Sequence, residues 1–229
     1  MMNKIGLCSI TFRGKSVEEV IELCKKNELN CIEWGGDIHA PHGDIEAAKC
    51  VGALTRKSGL SCNSYGSYFR CDSLENFKPV SQSAKALGAT VIRVWAGEKD
   101  SEKFTEEEFH RFVQTVAECA DYAEKFGQKI AFEYHFGTYC NNPESVNKLL
   151  DAVHKNNVGT YWQPAYWLGN IPEQERVEKN LAAIELLKER LVNIHVYNWR
   201  GFERFPLVES NEEWALYLER IPSHCDCLL

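Results

Sequence analysis

The chain has 229 residues, of which 44% are hydrophobic and 26% are charged, a composition that is typical of a globular protein and excludes a disordered or fibrous one. The net charge is −7, whereas a nucleic-acid-binding protein is expected to carry a positively charged surface. No stretch approaches the roughly 20 apolar residues of a membrane span, so we expect a cytoplasmic protein without nucleic-acid or membrane partners.

Segments rich in β-branched and aromatic residues alternate with amphipathic segments along the chain. The first kind predicts strands over residues 4–10, 31–34, 60–65, 90–95, 129–134, 158–163, 191–196 and 225–229. The second kind predicts the helices between them. Ser16 with Glu19, and Thr105 with Glu108, have the spacing of a capping box at a helix start. Pro143 stands where the first turn of a helix tolerates proline.

The predicted strand ends recur at intervals of 30–38 residues. The positions that mark these ends are Glu33, Ser64, Trp95, Glu133, Gln163, His195 and Leu229. Because one strand–helix unit needs about 30 residues, the repeat predicts a single-domain (β/α)₈ TIM barrel over residues 1–229. The alternative is a doubly wound open sheet, which a phosphate-binding loop after the first strand would favour. Gly14-Lys15-Ser16 follows that strand, but Ser9 stands where such a loop needs its first glycine.

Alternation along the strands predicts which side chains face the barrel axis. In the fifth strand Glu133 and His135 share one side, opposite a more apolar set. In the seventh strand Leu191 and His195 are expected on the axis side, and Val192 on the helix side. The polar side chains would then collect at the carboxyl ends of the strands, where barrel enzymes place their chemistry.

Three of these strand-end residues are candidate cation ligands. Glu133, Gln163 and His195 lie at the ends of three successive strands. A carboxylate, an amide oxygen and an imidazole could together hold one divalent cation. The alternative is a hydrogen-bonded polar cluster that caps the barrel.

The loop after the second strand, residues 33–44, groups two histidines and three acids among glycines. It could bind a metal or position the hydroxyls of a polyol, and His39 is its candidate substrate-binding residue. The alternative is a solvated loop in which Asp44 caps the following helix.

Aromatic and basic side chains at the same end of the barrel are further candidates for substrate binding. Arg93 and Arg204 could anchor a phosphate or carboxylate, although Arg93 could instead pair with Glu133 or Glu33 inside the barrel. The aromatic candidates, whose flat rings suit the C–H faces of a sugar, are Trp95, Tyr166 and Trp199, with Tyr65, Tyr68 and Trp167 nearby.

The ten cysteines are scattered, and no pair has the CxxC spacing. Several stand within apolar strand or helix patterns, where a free thiol behaves as a small hydrophobe. We therefore expect reduced, structural thiols.

Five motifs resemble the xylose isomerase-like barrels, a family that includes sugar epimerases, inosose-processing enzymes and endonuclease IV. The motifs are IEWGGDIHAPHGD after the second strand, IRVWAG at the fourth, IAFEYHFGT at the fifth, YWQPAYWLG at the sixth and NIHVYNW at the seventh. The resemblance extends over nearly the whole chain and implies the same barrel fold.

In that family a glutamate, an aspartate, a histidine and a second glutamate, on strands five to eight, bind one Mn²⁺, Mg²⁺, Co²⁺ or Zn²⁺ ion. The resemblance implies that Glu133 and His195 are ligands, with Gln163 at the aspartate position. It also implies that Glu133 moves a substrate proton through an enediolate. The residues implied to hold substrate oxygens are His39, Arg93, His135 and Trp199.

The sequence departs from the family pattern in three places. Gln163 replaces the aspartate, which should weaken the binding of a hard cation, and Tyr166 replaces a nearby histidine. The eighth-strand carboxylate and the last helix would fall beyond Leu229, so we expect an incomplete barrel that either continues in the gene or is covered by a partner, such as a second copy.

Three functions are consistent with these residues. The first is a metal-dependent isomerase or epimerase of a sugar or sugar phosphate. The second is a non-catalytic sugar or polyol binder on the same scaffold. The third is DNA repair of the endonuclease IV kind, which the net charge of −7 disfavours.

Overall fold

The β-rich segments form ten short strands in the computed structural model, which describes residues 3–169 and 171–229. Eight of them are parallel and close into a barrel in the order β1, β2, β3, β4, β5, β6, β7 and β10, with β10 pairing with β1. The remaining two, β8 and β9, form an antiparallel hairpin. The bounds are β1 (Ile5–Cys8), β2 (Cys31–Gly35), β3 (Ser61–Gly66), β4 (Val91–Val94), β5 (Lys129–Glu133), β6 (Val158–Trp162), β7 (Leu191–His195), β8 (Trp199–Arg200), β9 (Glu203–Arg204) and β10 (Asp226–Leu228). The predicted TIM barrel, including its eighth strand, is confirmed.

Helices connect the strands, and each packs against the next around the barrel. In the described chain they are α1 (Val17–Lys26), α2 (Ile45–Lys57), α3 (Leu74–Leu87), α4 (Glu106–Glu124), α5 (Pro143–Val153), α6 (Glu173–Leu187) and α7 (Asn211–Leu218). Both predicted capping boxes form: Ser16 accepts the backbone N–H of Glu19, and Thr105 accepts that of Glu108. Each such cap contributes about 1 kcal/mol. Within residues 3–169 and 171–229, no helix is both long and apolar enough to cross a bilayer.

Apolar burial falls into two layers. The larger layer lies between the strands and the helices, where Trp34, Phe77 and Phe132 are fully buried. The smaller layer fills the inside of the barrel and consists of Cys8, Cys31, Val91, Ala131, Tyr161 and Leu228. The polar side chains of the strand ends lie on top of this inner layer, which closes the barrel beneath them.

The alternation predicted for the start of β7 is wrong. The pairing with β6 passes from Thr160 opposite Leu191 to Tyr161 opposite Asn193, which leaves Val192 as an extra residue. Val192 therefore packs against the inner layer, and Leu191 lies in the outer layer. A bulge of this kind shifts the side-chain alternation by one residue. From Asn193 onward the predicted orientation is restored.

Candidate functional site

A cavity of about 460 Å³ opens at the carboxyl ends of the barrel strands. It is lined by nine of the ten residues that the sequence singles out: Arg93, Trp95, Glu133, His135, Gln163, Tyr166, His195, Trp199 and Arg204. A larger groove of about 950 Å³ runs between α3 and α4 and shares only Tyr68 with this cavity. The grouped, buried ionisable side chains lie in the first cavity, so we take it as the candidate site.

Arg93 is a buried cation at the base of this cavity, with 1% of its surface exposed. Its Nε donates to Glu33 Oε1 at 2.9 Å, and its Nη1 donates to Glu133 Oε2. The absence of a side chain at Gly66 makes room for this pairing, because a Cβ there would lie 2.6 Å from Arg93 Nη2. Of the two roles that the sequence left open, the guanidinium takes the internal one.

The Glu133 carboxylate is held from one side. Its Oε2 accepts hydrogen bonds from Arg93 and from Trp95 Nε1, the latter at 2.5 Å. Its Oε1 lies 3.4 Å from Nδ1 of His195. Burial alone would raise the pKa of Glu133, but Arg93 and His195 outweigh it and hold that pKa well below its ordinary value. The carboxylate is therefore ionised, with Oε1 directed away from the guanidinium.

Gln163 completes the predicted group of three. Its Nε2 donates to the backbone carbonyl of Tyr134 at 2.7 Å, and this bond fixes the orientation of the amide. Its Oε1 then lies 3.2 Å from His195 Nδ1. Ligands that share one cation through bonds of about 2.1 Å lie about 3.0–3.5 Å apart. The spacings around Nδ1 thus fit a cation site, and the same groups also form a hydrogen-bonded cluster.

The other side of the imidazole faces two residues that the sequence did not place among the ligands. His195 Nε2 lies 3.5 Å from Glu33 Oε1, and Cys8 Sγ lies 3.6 Å from that same oxygen. The second oxygen of Glu33 accepts the Tyr161 hydroxyl at 2.8 Å. Burial raises the pKa of the Cys8 thiol. Cys8 was missed because its apolar strand indicated a core thiol, although its place at the end of β1 was the available signal.

Charge is balanced across this buried group. Burial alone would raise the pKa of Glu33, but Arg93 and His195 lower it to about 2. Burial would likewise lower the pKa of His195, but Cys8 and the two carboxylates raise it well above its ordinary value. Two carboxylates are thus offset by the Arg93 guanidinium and by a protonated imidazole. His195 Nε2 nevertheless has no hydrogen-bond partner.

An aromatic wall surrounds the opening. Trp95 stacks on His135 with ring centroids 4.9 Å apart, and Tyr166 lies 5.7 Å from Trp199. His135 Nδ1 lies 2.6 Å from the Phe136 carbonyl, so Nδ1 carries the proton and donates to it. In the neutral ring this leaves Nε2 as an acceptor, and His135 lines the cavity.

Two arginines lie at the rim. Arg204, on β9, is exposed. Arg13, which the sequence did not single out, pairs with Asp37 and donates to the Tyr68 hydroxyl at 3.3 Å. Arg13 comes from the loop after β1 and Arg204 from the hairpin after β7, so the barrel topology alone brings them to one opening.

His39 is the candidate that the structure does not bring to the cavity. Its ring packs edge-on against Trp34 at 5.5 Å, and its Nε2 lies 3.2 Å from the Lys15 carbonyl. Burial lowers the pKa of His39, which is 7% exposed. In the same loop Asp44 accepts the backbone N–H of Ala47 at 2.9 Å and caps α2. The loop therefore packs against the barrel and starts a helix.

The cysteines have the predicted form. All ten lie in the described part of the chain and are free thiols, and nine of them are buried. Only Cys50, on α2, is exposed.

Comparison with known proteins identifies a family and a set of similar folds. The family model described as a xylose isomerase-like TIM barrel matches residues 10–221. The probable 3-DHS dehydratase AsbF of Bacillus anthracis, involved in petrobactin synthesis, is similar with a TM-score of 0.79 and 17% identity, over 100% of this chain and 92% of that one. No curated protein matches the sequence significantly.

Two further solved structures have the same fold. The IOLI protein with a binding zinc atom has a TM-score of 0.74 and 17% identity, over 98% of this chain and 88% of that one. The D-psicose 3-epimerase from Clostridium cellulolyticum H10, with D-tagatose, has a TM-score of 0.70 and 18% identity, over 98% of this chain and 84% of that one. At these identities the likeness concerns the fold.

Proposed function

This chain belongs to the xylose isomerase-like TIM barrel family, and on that premise we propose that it is a divalent-metal-dependent isomerase or epimerase of a sugar or sugar phosphate. The observation that carries the proposal is the convergence of Glu133, Gln163 and His195 in one cavity. Two of the solved structures that share its fold support it, since one is an epimerase with a ketose and another has a binding zinc atom.

Glu133 Oε1, Gln163 Oε1 and His195 Nδ1 would hold the cation. The donor set fits: the two oxygens lie 3.4 Å and 3.2 Å from Nδ1, and one of them carries a charge. When bound, Mn²⁺, Mg²⁺, Co²⁺ or Zn²⁺ would polarise the carbonyl and the neighbouring hydroxyl of the substrate as a Lewis acid. A neutral amide in place of a carboxylate makes the site weaker for hard cations.

Glu133 is the proposed proton acceptor. Arg93 and Trp95 hold its Oε2, so the Oε1 lone pair that is not given to the cation would take the carbon-bound proton and return it to the other carbon or the other face. The product of proton removal is an enediolate. Because the lowered pKa of Glu133 makes it a weak base, we expect proton exchange to be slow.

The cavity walls suit a small polyhydroxylated substrate. A volume of about 460 Å³ lies within the usual range of about 300–1,000 Å³ for ligand pockets. Trp95, Tyr166 and Trp199 offer ring faces to sugar C–H groups, and His135 Nε2 offers an acceptor to a hydroxyl. Arg204 at the rim would bind a phosphate or carboxylate on a longer substrate.

The second candidate is a non-catalytic sugar or polyol binder. The specific observation in its favour is that Arg93 pairs with Glu133, the residue that would have to act as base. Neutral Gln163 favours it as well.

We do not extend the proposal to nucleic acids, because a net charge of −7 opposes binding to a phosphate backbone. We place the protein in the cytoplasm, since ten free thiols suit a reducing compartment.

Solvent-deuterium incorporation into a panel of ketoses and ketose phosphates, with and without Mn²⁺, tests the proposal. We expect metal-dependent exchange in the wild type and its loss in Glu133→Gln. The matched control is Glu107→Gln, which changes an exposed carboxylate on α4 and should leave exchange intact. A sugar that raises the melting temperature without any exchange would establish the binder and refute the enzyme.

A further inference from the structure

The Nε2 atom of His195 is buried and has no hydrogen-bond partner, and only 8% of the residue is exposed. A buried polar atom without a partner is destabilising, so the groups around it indicate what it binds. It is directed at Glu33 Oε1, 3.5 Å away, and at the thiol of Cys8. The three ligand atoms all lie within 4.8 Å of one another.

We propose that Cys8, Glu33 and His195 Nε2 form a zinc site, separate from the oxygen-rich position on the Nδ1 side of the same ring. Tetrahedral Zn²⁺, with bonds of about 2.0–2.3 Å, places neighbouring ligand atoms about 3.3–3.7 Å apart. The thiol sulfur lies 3.6 Å from Glu33 Oε1, and Nε2 lies 3.5 Å from it. The ligand atoms of Cys8 and His195 lie within 4.8 Å of each other, so side-chain movements of up to about 1 Å would complete the geometry.

The donor set selects zinc over the hard cations. A thiolate with an imidazole suits Zn²⁺, whereas Mg²⁺ and Mn²⁺ prefer sites made of oxygen. Cys8 and His195 both line the cavity, so the fourth position of the ion would open into it. Three protein ligands with one open position is the arrangement of reactive rather than structural zinc sites.

The neighbours of Glu33 support its role as a ligand. Tyr161 donates to Oε2 and Arg93 donates to Oε1, and each carboxylate oxygen has a second lone pair for a metal. Outer groups of this kind fix the orientation of a ligand before the ion arrives. Arg93 is a neighbouring cation, but its charge is offset: Glu33, Glu133 and a Cys8 thiolate carry three negative charges against three positive charges on Arg93 and Zn²⁺.

The zinc site also bears on the proposed isomerase, although it does not depend on it. A neutral imidazole has one nitrogen with a free lone pair. Acceptor oxygens face both nitrogens of the metal-free ring, Gln163 and Glu133 at Nδ1 and Glu33 at Nε2, so a cation on either side displaces the proton of the nitrogen that it binds. The other nitrogen then keeps its proton. Zinc on the Cys8 side therefore excludes a cation from the Glu133 side.

Cobalt(II) as a spectroscopic substitute for zinc tests the site. The wild type should bind one Co²⁺ at this position, with a thiolate-to-metal charge-transfer band in the near ultraviolet and the strong visible bands of a tetrahedral ion. Cys8→Ser should lose the charge-transfer band. The matched control is Cys31→Ser, which alters another buried thiol of the inner layer and should keep it.

Zinc affinity, measured by competition with a chromophoric chelator, gives a second readout. Glu33→Gln should weaken zinc binding at least about tenfold, and it serves as the test if Cys8→Ser fails to fold. No band in the wild type, or a band that survives in Cys8→Ser, overturns the site. Neither readout requires turnover, so a protein that shows the band but no deuterium exchange would refute the isomerase and leave the zinc site standing.

Discussion

Removal of the buried guanidinium should destabilise the barrel more than most single substitutions. In Arg93→Met the carboxylates of Glu33 and Glu133, whose side chains are 1% and 8% exposed, lose their shared partner. His195 still offsets one of them, so one uncompensated buried charge remains. The loss of one partner of a buried ion pair costs about 3–5 kcal/mol. At about 2–4 °C per kcal/mol for a chain of this size, the melting temperature should fall by about 6–20 °C.

The pH dependence of the stability lost in Arg93→Met tests more sharply whether an unpaired buried carboxylate is its cause. In the wild type the pKa of Glu33 is lowered to about 2. Its stabilising contribution is therefore present above the ordinary carboxyl pKa of about 4.3 and disappears as the pH falls towards 2. In Arg93→Met burial acts unopposed by the guanidinium, and protonation relieves the unpaired charge. The difference in unfolding free energy between the two proteins should therefore shrink between pH 7 and pH 4.

Urea unfolding of both proteins at a series of pH values measures this difference. The control is Arg111→Met, because Arg111 forms an exposed pair with Glu107 and exposed pairs contribute little. Equal urea midpoints for Arg93→Met and the wild type at pH 7 would show that the guanidinium does not stabilise the fold through Glu33 and Glu133. A stability difference that grows as the pH falls would show the same.

Three further changes test other parts of the molecule. A thiol reagent should modify one cysteine of the native protein, Cys50, and all ten after denaturation; rapid modification of more than one native thiol would contradict the burial. Gly52→Ala on α2 should lower the free energy of unfolding by about 1–3 kcal/mol, although alanine usually stabilises a helix relative to glycine. The reason is that the new Cβ would lie 2.2 Å from the Leu87 carbonyl oxygen. Thermal unfolding measures the change, and Gly14→Ala, where the new Cβ meets open space, is the control. Gln163→Asp should strengthen Mn²⁺ binding about tenfold or more, measured by electron paramagnetic resonance, because it adds a charged ligand; unchanged affinity would place the ion elsewhere.

The barrel could be predicted because local sequence and fold agree at nearly every strand. Each predicted strand overlaps an observed one, and the 30–38-residue repeat counts the units correctly. Two features escaped prediction. The bulge that turns Val192 inward depends on pairing with β6, and the β8–β9 hairpin is only four residues of strand. The bulge is set by contact with a strand that is distant in the chain, whereas the hairpin is local but too short to leave an alternating pattern in the sequence.

The sequence predicted where the candidate site lies, but it identified only some of the residues that form it. Strand-end spacing located Glu133, Gln163 and His195, because parallel strands bring their carboxyl ends to one rim. It could not show that Arg93 spans two carboxylates, since that depends on the space left at Gly66. The residues that only the fold revealed are Cys8 and Arg13, while His39 turned towards the barrel wall instead of the cavity.

Anomalous diffraction from crystals soaked in MnCl₂ tests the cation site most directly. We expect one manganese peak within about 2.0–2.6 Å of Glu133 Oε1, Gln163 Oε1 and His195 Nδ1. A peak bonded to none of these atoms, or no peak in the cavity at saturating Mn²⁺, would rule out the proposed cation site.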